Sequence, residues 1–225
     1  MEEAKWERWS AFGALGFVVL VIVTVILPGS PPKPSDSQAK IANFIFDNSK
    51  ELRWSAFIGA LATVLLFWWA GSVWRMLRRA EGGSPRLTVV AIAGLVFGTA
   101  LFAVGSVVMS ATAMAVIPGG GGVHDVKLLF LLQGALAAGG GVGVAVFVGA
   151  FSIVVIRSHV LPAALGWYGG LVAVVLVAAA AGMASTKDVY FVVGFIGFAG
   201  LLIWLVITAI LMLRAPAVDA APSAT

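Results

Sequence analysis

The residues of this sequence that are able to do chemistry are few, and the most suggestive pair stands in a glycine-rich segment. His124 and Asp125 follow the run PGGGG at 118–122. A histidine beside a carboxylate is a pattern that holds metal ions such as zinc. A single such pair in a flexible loop is more often solvated polar surface, so both residues are weak metal candidates. No cofactor is predicted.

The remaining polar candidates stand inside or beside long apolar runs. Gln133 is expected to hydrogen-bond to a neighbouring helix, with a ligand contact as the alternative. Trp68 and Trp69 are candidates for contact with lipid or a partner protein. Four arginines of one connector either contact anionic lipid headgroups or only set the topology: Arg75, Arg78, Arg79 and Arg86.

Composition decides the class of protein that carries these residues. Of the 225 residues, 61% are hydrophobic and only 11% are charged, whereas a soluble domain has about a quarter charged. Too little polar surface remains to cover a water-soluble fold, so the chain is predicted to be a multi-pass membrane protein. The formal net charge of +4 comes from basic residues in short connectors, which argues against nucleic-acid binding. The absence of cysteine excludes disulfides and thiol catalysis.

Six apolar runs are predicted to form a single all-α bundle of transmembrane helices. The predicted spans are 11–27, 56–74, 87–112, 128–156, 161–183 and 189–213. Arginines concentrate at the N-terminus, in the second and fourth connectors and after the last span, which predicts that both termini are cytoplasmic in a plasma membrane protein. The tail 215–225 is predicted to be disordered.

The first outer connector is predicted to contain a short amphipathic helix. Prolines extend its first part, and Ser35 stands three residues before Gln38 in a capping-box pattern. Ile41, Phe44 and Ile45 then fall on one helical face, so a helix over about 35–48 is expected to lie on the membrane surface or to cap the bundle.

Small residues predict close helix packing within the bundle. Three GxxxG spacings are present, at Gly94/Gly98, Gly139/Gly143 and Gly166/Gly170.

The segment RWSAF occurs twice, at 8–12 and at 53–57. Each copy precedes a span, so the repeat is predicted to be a helix-entry anchor used at opposite membrane faces, with Trp9 and Trp54 far apart.

Four stretches resemble a family of uncharacterised six-helix integral membrane proteins of actinobacteria: AKIANFIFDNSKELRWSAFIGAL, MLRRAEGGSPRLTVVAIAG, VLPAALGWYGGLVAVVL and IWLVITAILMLR. The most specific elements are LRRAEGG-x-PRL and the LP-xx-LGW entry to the fifth span. The resemblance implies a six-helix topology and adds no site, because the family has no established activity.

The predicted spans contain no Asp, Glu, Lys, Arg or His. This absence decides which functions are favoured. Proton relays and intramembrane hydrolases need reactive groups at membrane depth. We therefore predict a non-catalytic accessory or scaffold subunit that contacts membrane lipids and other subunits or itself. One alternative is a small transporter or channel for an apolar or amphipathic solute. Another is a membrane enzyme or metal-binding protein that uses His124 and nearby acids.

Overall fold

Six long helices and one short helix make up the described part of the chain. The computed structural model describes residues 2–116, 125–185 and 187–214, with side chains from Trp9 onward. Six of the helices found there are long and apolar enough to cross a membrane, as predicted. The helices are α1 (Glu2–Ile26), α2 (Gln38–Asp47), α3 (Ser49–Glu81), α4 (Arg86–Ala115), α5 (Val126–Ser158), α6 (Ala163–Ala180) and α7 (Asp188–Arg214).

Several helices run past the apolar stretches that predicted them. Helix α3 has 33 residues, which makes it about 50 Å long and longer than the hydrocarbon core of about 30 Å. Helix α6 is instead shorter than its predicted span, because Pro162 caps its start and a 3-10 turn, Ala181–Ala184, follows its end. The predicted disordered tail 215–225 lies outside the described residues.

The long helices form a closed ring in the order α1–α3–α4–α5–α6–α7, with α7 returning to α1. Helix α5 also touches α3 across the ring. In the most apolar stretch of α5, 67% of the residues are buried, against 33% or less in the other long helices. The ring is therefore organised around α5.

Neighbouring helices of the ring run antiparallel. Ser55 at the start of α3 donates from its Oγ to the carbonyl of Thr24 near the end of α1, at 3.2 Å. Gly13, in the middle of α1, lies against Leu65 in the middle of α3. Trp9 and Trp54 therefore lie at opposite ends of this helix pair, as the repeat predicted.

Glycines bring α4 and α5 into backbone contact. A methyl group on Gly98 would lie 2.7 Å from the carbonyl oxygen of Gly140, and one on Gly143 would lie 2.5 Å from the Gly98 nitrogen. Such distances leave room only for hydrogen, so glycine is required there. Gly94 completes the contact, with the Gly143 carbonyl oxygen 2.7 Å from its methyl position.

Two of the predicted glycine pairs have a different register. Helix α5 meets the backbone of α4 through Gly140 and Gly143, whereas Gly139 meets a side chain of α4, with Leu101 Cδ1 3.1 Å from its methyl position. In α6 the position of Gly169 is filled by neighbouring side chains, whereas Gly170 faces open space. The crowded glycines are therefore three residues apart in α5 and α6, at Gly140/Gly143 and Gly166/Gly169, and four apart in α4. Both spacings keep the two glycines on one face of a helix.

Helix α2 begins two residues later than predicted from its capping signal. Ser37, not Ser35, caps it, by accepting the backbone N–H of Lys40 at 3.3 Å. Ile41 and Ile45 are fully buried and pack against the end of α4 and the start of α5, in a cluster with Ala42, Ala113, Val116 and Val126. We call this end of the bundle, where α3, α5 and α7 begin, the α2 end.

Candidate lipid and partner contact surfaces

The four predicted arginines surround the turn between α3 and α4, at the end of the bundle opposite the α2 end. Arg75 is half-buried, and the other three are exposed, namely Arg78, Arg79 and Arg86. Three positive side chains thus reach the surface close to one tight turn. This is an arrangement that attracts anionic headgroups.

A glutamate holds this turn together. One carboxylate oxygen of Glu81 accepts the backbone N–H of Leu87 at 2.8 Å, and the other accepts the N–H of Thr88 at 2.9 Å and its hydroxyl at 2.8 Å. The negative charge therefore caps the first turn of α4, where free N–H groups carry partial positive charge. Gly82 and Gly83 have φ of 64° and 37°, which lets the chain turn back. The LRRAEGG-x-PRL motif thus has a structural role in connecting two helices.

The two adjacent tryptophans of α3 have opposite environments. Trp68 is 56% exposed and stays a candidate for contact with lipid or a partner. Trp69 is fully buried, so the prediction of an outside contact is wrong for this residue. Adjacent helical positions are rotated by about 100° from each other, which is enough to turn one side chain outward and the next inward.

Trp69 belongs to a buried aromatic cluster that joins three helices. Phe147 of α5 is at its centre and makes edge-on contacts with Trp69 at 6.1 Å and with Trp204 of α7 at 5.9 Å between ring centroids. Phe151 adds a closer contact to Trp204 at 4.8 Å. Edge-to-face pairs are worth about 0.5–1.5 kcal/mol beyond their burial, so this cluster fixes how α3 and α7 pack on α5.

Three polar atoms in this region have no hydrogen-bond partner among the described residues. They are the indole nitrogens of Trp69 and Trp204 and the hydroxyl of Ser152. The Ser152 hydroxyl and the Trp204 nitrogen both lie against Gly169, where a methyl group would collide with each of them. The interior is tightly filled at this point, and its polar atoms are enclosed by apolar side chains.

Gln133 differs from the prediction of a buried polar contact. It is half-buried, and its Cγ lies 3.7 Å from the methyl position of Gly105 on α4. No hydrogen bond joins its amide to another described residue, so the predicted interhelical bond is not found in the part of the chain that the structure describes. The aliphatic part of the side chain covers Gly105 instead, which amphipathic side chains commonly do.

The weak metal candidates stay without support. His124 lies outside the described residues, together with the PGGGG run. Asp125 is exposed at the start of α5, and its side chain makes no capping hydrogen bond. Among the described residues, no cluster of three or more His, Cys, Asp or Glu side chains is present.

Polar contacts tie the first connector to the starts of two long helices. Lys127 of α5 donates from its ammonium to the carbonyl of Asp36 at 2.9 Å. The hydroxyl of Ser35 donates to the carboxylate of Asp188, the first residue of α7, at 3.1 Å, and Lys33 lies 3.7 Å from the same carboxylate. The connector therefore closes over the α2 end.

Asp36 is held in its ionised form within this connector. Its carboxylate accepts a hydrogen bond from the Lys40 ammonium at 2.9 Å and another from the Lys33 backbone N–H at 2.8 Å. These hydrogen bonds hold the pKa of Asp36 below its ordinary value of 3.8.

A surface pocket at the start of α3 was not predicted from the sequence. Its volume is about 410 Å³, and it is lined by Lys50, Arg53, Trp54 and Phe57. The sequence does carry a signal for this pocket when the two RWSAF copies are compared over a longer stretch. In both copies a lysine stands three residues before the arginine. The repeat is therefore K-x-x-RWSAF, at 5–12 and at 50–57.

Comparison of the chain with protein-family models, curated proteins and solved structures finds no match. The resemblance to the actinobacterial membrane family therefore stays a prediction.

Proposed function

We propose that this chain is a non-catalytic integral membrane protein, an accessory or scaffold subunit that packs against other membrane proteins or lipids. The outward face of the ring carries this proposal. Each long helix presents at least one large apolar side chain that is more than half exposed: Trp9, Val64, Val107, Leu128, Trp167 and Phe195. In water such a surface would aggregate, whereas in a bilayer it is a contact surface for lipid tails or for other helices.

The interior supports the same proposal. Backbone contact closes the gap between α4 and α5, and the aromatic cluster around Phe147 fills the space between α3, α5 and α7. Transport of an apolar or amphipathic solute would need a cavity between the helices and a second way of packing them, and both require looser packing than this. A closely packed bundle with an apolar exterior is suited to a subunit that supports its neighbours.

The orientation and compartment belong to the proposal as well. We place the chain in the plasma membrane with both termini and the Arg75–Arg86 turn in the cytoplasm, because arginines gather at that end. The antiparallel order of the six long helices agrees with termini on one side. Helix α2 then lies on the outer face, where its buried isoleucines cap the bundle and its exposed side faces solvent.

Orientation can be measured cleanly because the chain has no cysteine. We expect an Asn43→Cys variant, on the exposed side of α2, to react with a membrane-impermeant maleimide added to whole cells. A Ser84→Cys variant, in the α3–α4 turn, should react only after the membrane is opened. The reverse result would contradict the proposed orientation.

The scaffold function predicts stable partners. Extraction in a mild detergent followed by native mass spectrometry should recover the chain with a stoichiometric second subunit or with further copies of itself. Recovery of a lone, folded monomer from every mild detergent would contradict the proposed function.

A further inference from the structure

The pocket at the start of α3 is built on a single face of the helix. Lys50, Arg53, Trp54 and Phe57 occupy positions i, i+3, i+4 and i+7, which lie above one another on a helix surface. All four side chains are exposed. We call this set the α3 stripe. Its two cations precede its two aromatic residues, so charge and apolar surface are separated along the helix axis.

The cations of the stripe are available to an anion. No ion pair to Lys50 or Arg53 is present within the part of the chain that the structure describes. Arg53 donates from its Nε to the carbonyl of Ser49 at 3.1 Å, which orients the guanidinium, and the side chain lines the pocket. Lys and Arg together bind phosphate through short, charge-assisted hydrogen bonds.

The aromatic part of the stripe lies where a lipid chain would continue. Trp54 and Phe57 contact each other edge-on, with ring centroids 5.9 Å apart, and are 52% and 55% exposed. From Lys50 to Phe57 the helix rises about 10 Å, the distance from a phosphate into the upper acyl region of a leaflet. Tryptophan is typical of that interface.

We propose that the α3 stripe is a binding site for one anionic phospholipid. The headgroup phosphate is bound by Lys50 and Arg53, and the glycerol and upper acyl chain lie along Trp54 and Phe57. The proposal rests on the membrane insertion proposed above and adds a lipid class and a location to it. The same residue types in the same spacing begin α1, where the Trp9–Phe12 pair is exposed at the opposite end, with ring centroids 6.3 Å apart.

The test compares two single-charge variants of the purified, delipidated full chain. Arg53→Gln removes a cation of the stripe, and Lys187→Gln removes an exposed cation from the same end of the bundle, just before α7. Each protein is titrated with phosphatidylglycerol, with phosphatidylcholine of the same acyl chains, and with inorganic phosphate. Bound lipids are counted by native mass spectrometry, and thermal unfolding verifies that both variants are folded.

We expect Arg53→Gln to weaken phosphatidylglycerol binding about fivefold, the loss associated with one interfacial cation. Lys187→Gln should change it less than twofold, and neither variant should change phosphatidylcholine binding. Equal losses in the two variants, or equal affinity for both lipids, would overturn the site. Binding of inorganic phosphate alone, with the same dependence on Arg53, would replace the lipid by a free anion and also overturn it. These results are independent of partner recovery, so the scaffold function and the lipid site can fail separately.

Discussion

Replacing Gly143 by alanine tests whether the contact between α4 and α5 holds the bundle together. The new methyl group would lie 2.5 Å from the Gly98 nitrogen, 2.7 Å from its Cα and 2.8 Å from the Gly94 carbonyl oxygen. Ordinary contacts of a methyl group are about 3.5–4.0 Å, so the two helices must separate by about 1 Å. The backbone atoms of α4 cannot rotate out of the way as a side chain can, so the whole interface between α4 and α5 has to move.

The size of the expected stability loss follows from a comparison with the Gly141→Ala variant of the same helix. Gly141 is also buried, but apart from its chain neighbours and its own helix backbone no atom lies within 4 Å of its methyl position. Alanine favours a helix over glycine by about 1 kcal/mol at both sites, so this gain cancels between the two variants. What remains is the overpacking at Gly143. We therefore expect Gly143→Ala to be about 1–3 kcal/mol less stable than Gly141→Ala.

The assay is reversible unfolding in mixed micelles by a denaturing detergent, followed by circular dichroism. A Gly98→Ala, Gly143→Ala double variant should lose less than the sum of the single losses, because the first methyl group already separates the helices. If Gly143→Ala were as stable as Gly141→Ala, the backbone contact between α4 and α5 would not exist and the register of the bundle would be wrong.

Three further predictions concern a cap, an aromatic pair and a titrating side chain. Glu81→Ala should lower the free energy of unfolding by about 1–2 kcal/mol, measured in the same assay, because the first N–H groups of α4 and the buried hydroxyl of Thr88 lose their acceptor. Trp69→Ala should cost about 3–5 kcal/mol, while the exposed Trp68→Ala should cost clearly less; similar losses would contradict the burial difference. The pKa of Asp36 is lowered by folding, so its contribution to stability is complete above its ordinary value of 3.8 and is lost as the pH falls below it. An Asp36→Asn variant should lose this acid dependence of the thermal unfolding temperature. If the unfolding temperature of the variant still fell at acid pH as it does in the original protein, the ion pair between Asp36 and Lys40 would be contradicted.

The six spans were predictable because a bilayer leaves the chain little choice. A continuous apolar run of about 20 residues has to satisfy its backbone internally, and only a helix does so within one segment. The same uniform hydrophobicity hides the orientation of each helix. Helices α4 to α7 are apolar all round, so no periodic pattern distinguishes the side facing lipid from the side facing the core.

Trp68 and Trp69 show what this loss of pattern means for the candidate site. Both were predicted as outside contacts, and only the helix rotation set by packing on α5 separates them. The glycines of α5 and α6 that meet a neighbouring helix were mispredicted for the same reason. In a GGG or GG run, more than one glycine has a spacing suited to helix contact, and the sequence does not say which one faces the neighbour. The α3 stripe differs from these cases. Its signal was present in the sequence, since the lysine of K-x-x-RWSAF recurs with the rest of the repeat.

The most direct test of the proposed scaffold function is photo-crosslinking in intact membranes. A photoreactive residue is placed at Val174, which is 66% exposed on α6, and at Val172, which is 4% exposed on the same helix. A photoreactive residue is also placed at the most exposed position of each of the other long helices. A subunit that packs against neighbours should give a discrete protein adduct from at least one exposed position and none from Val172. Lipid adducts alone from every exposed position would contradict the central part of the proposed function, which is packing against other membrane proteins.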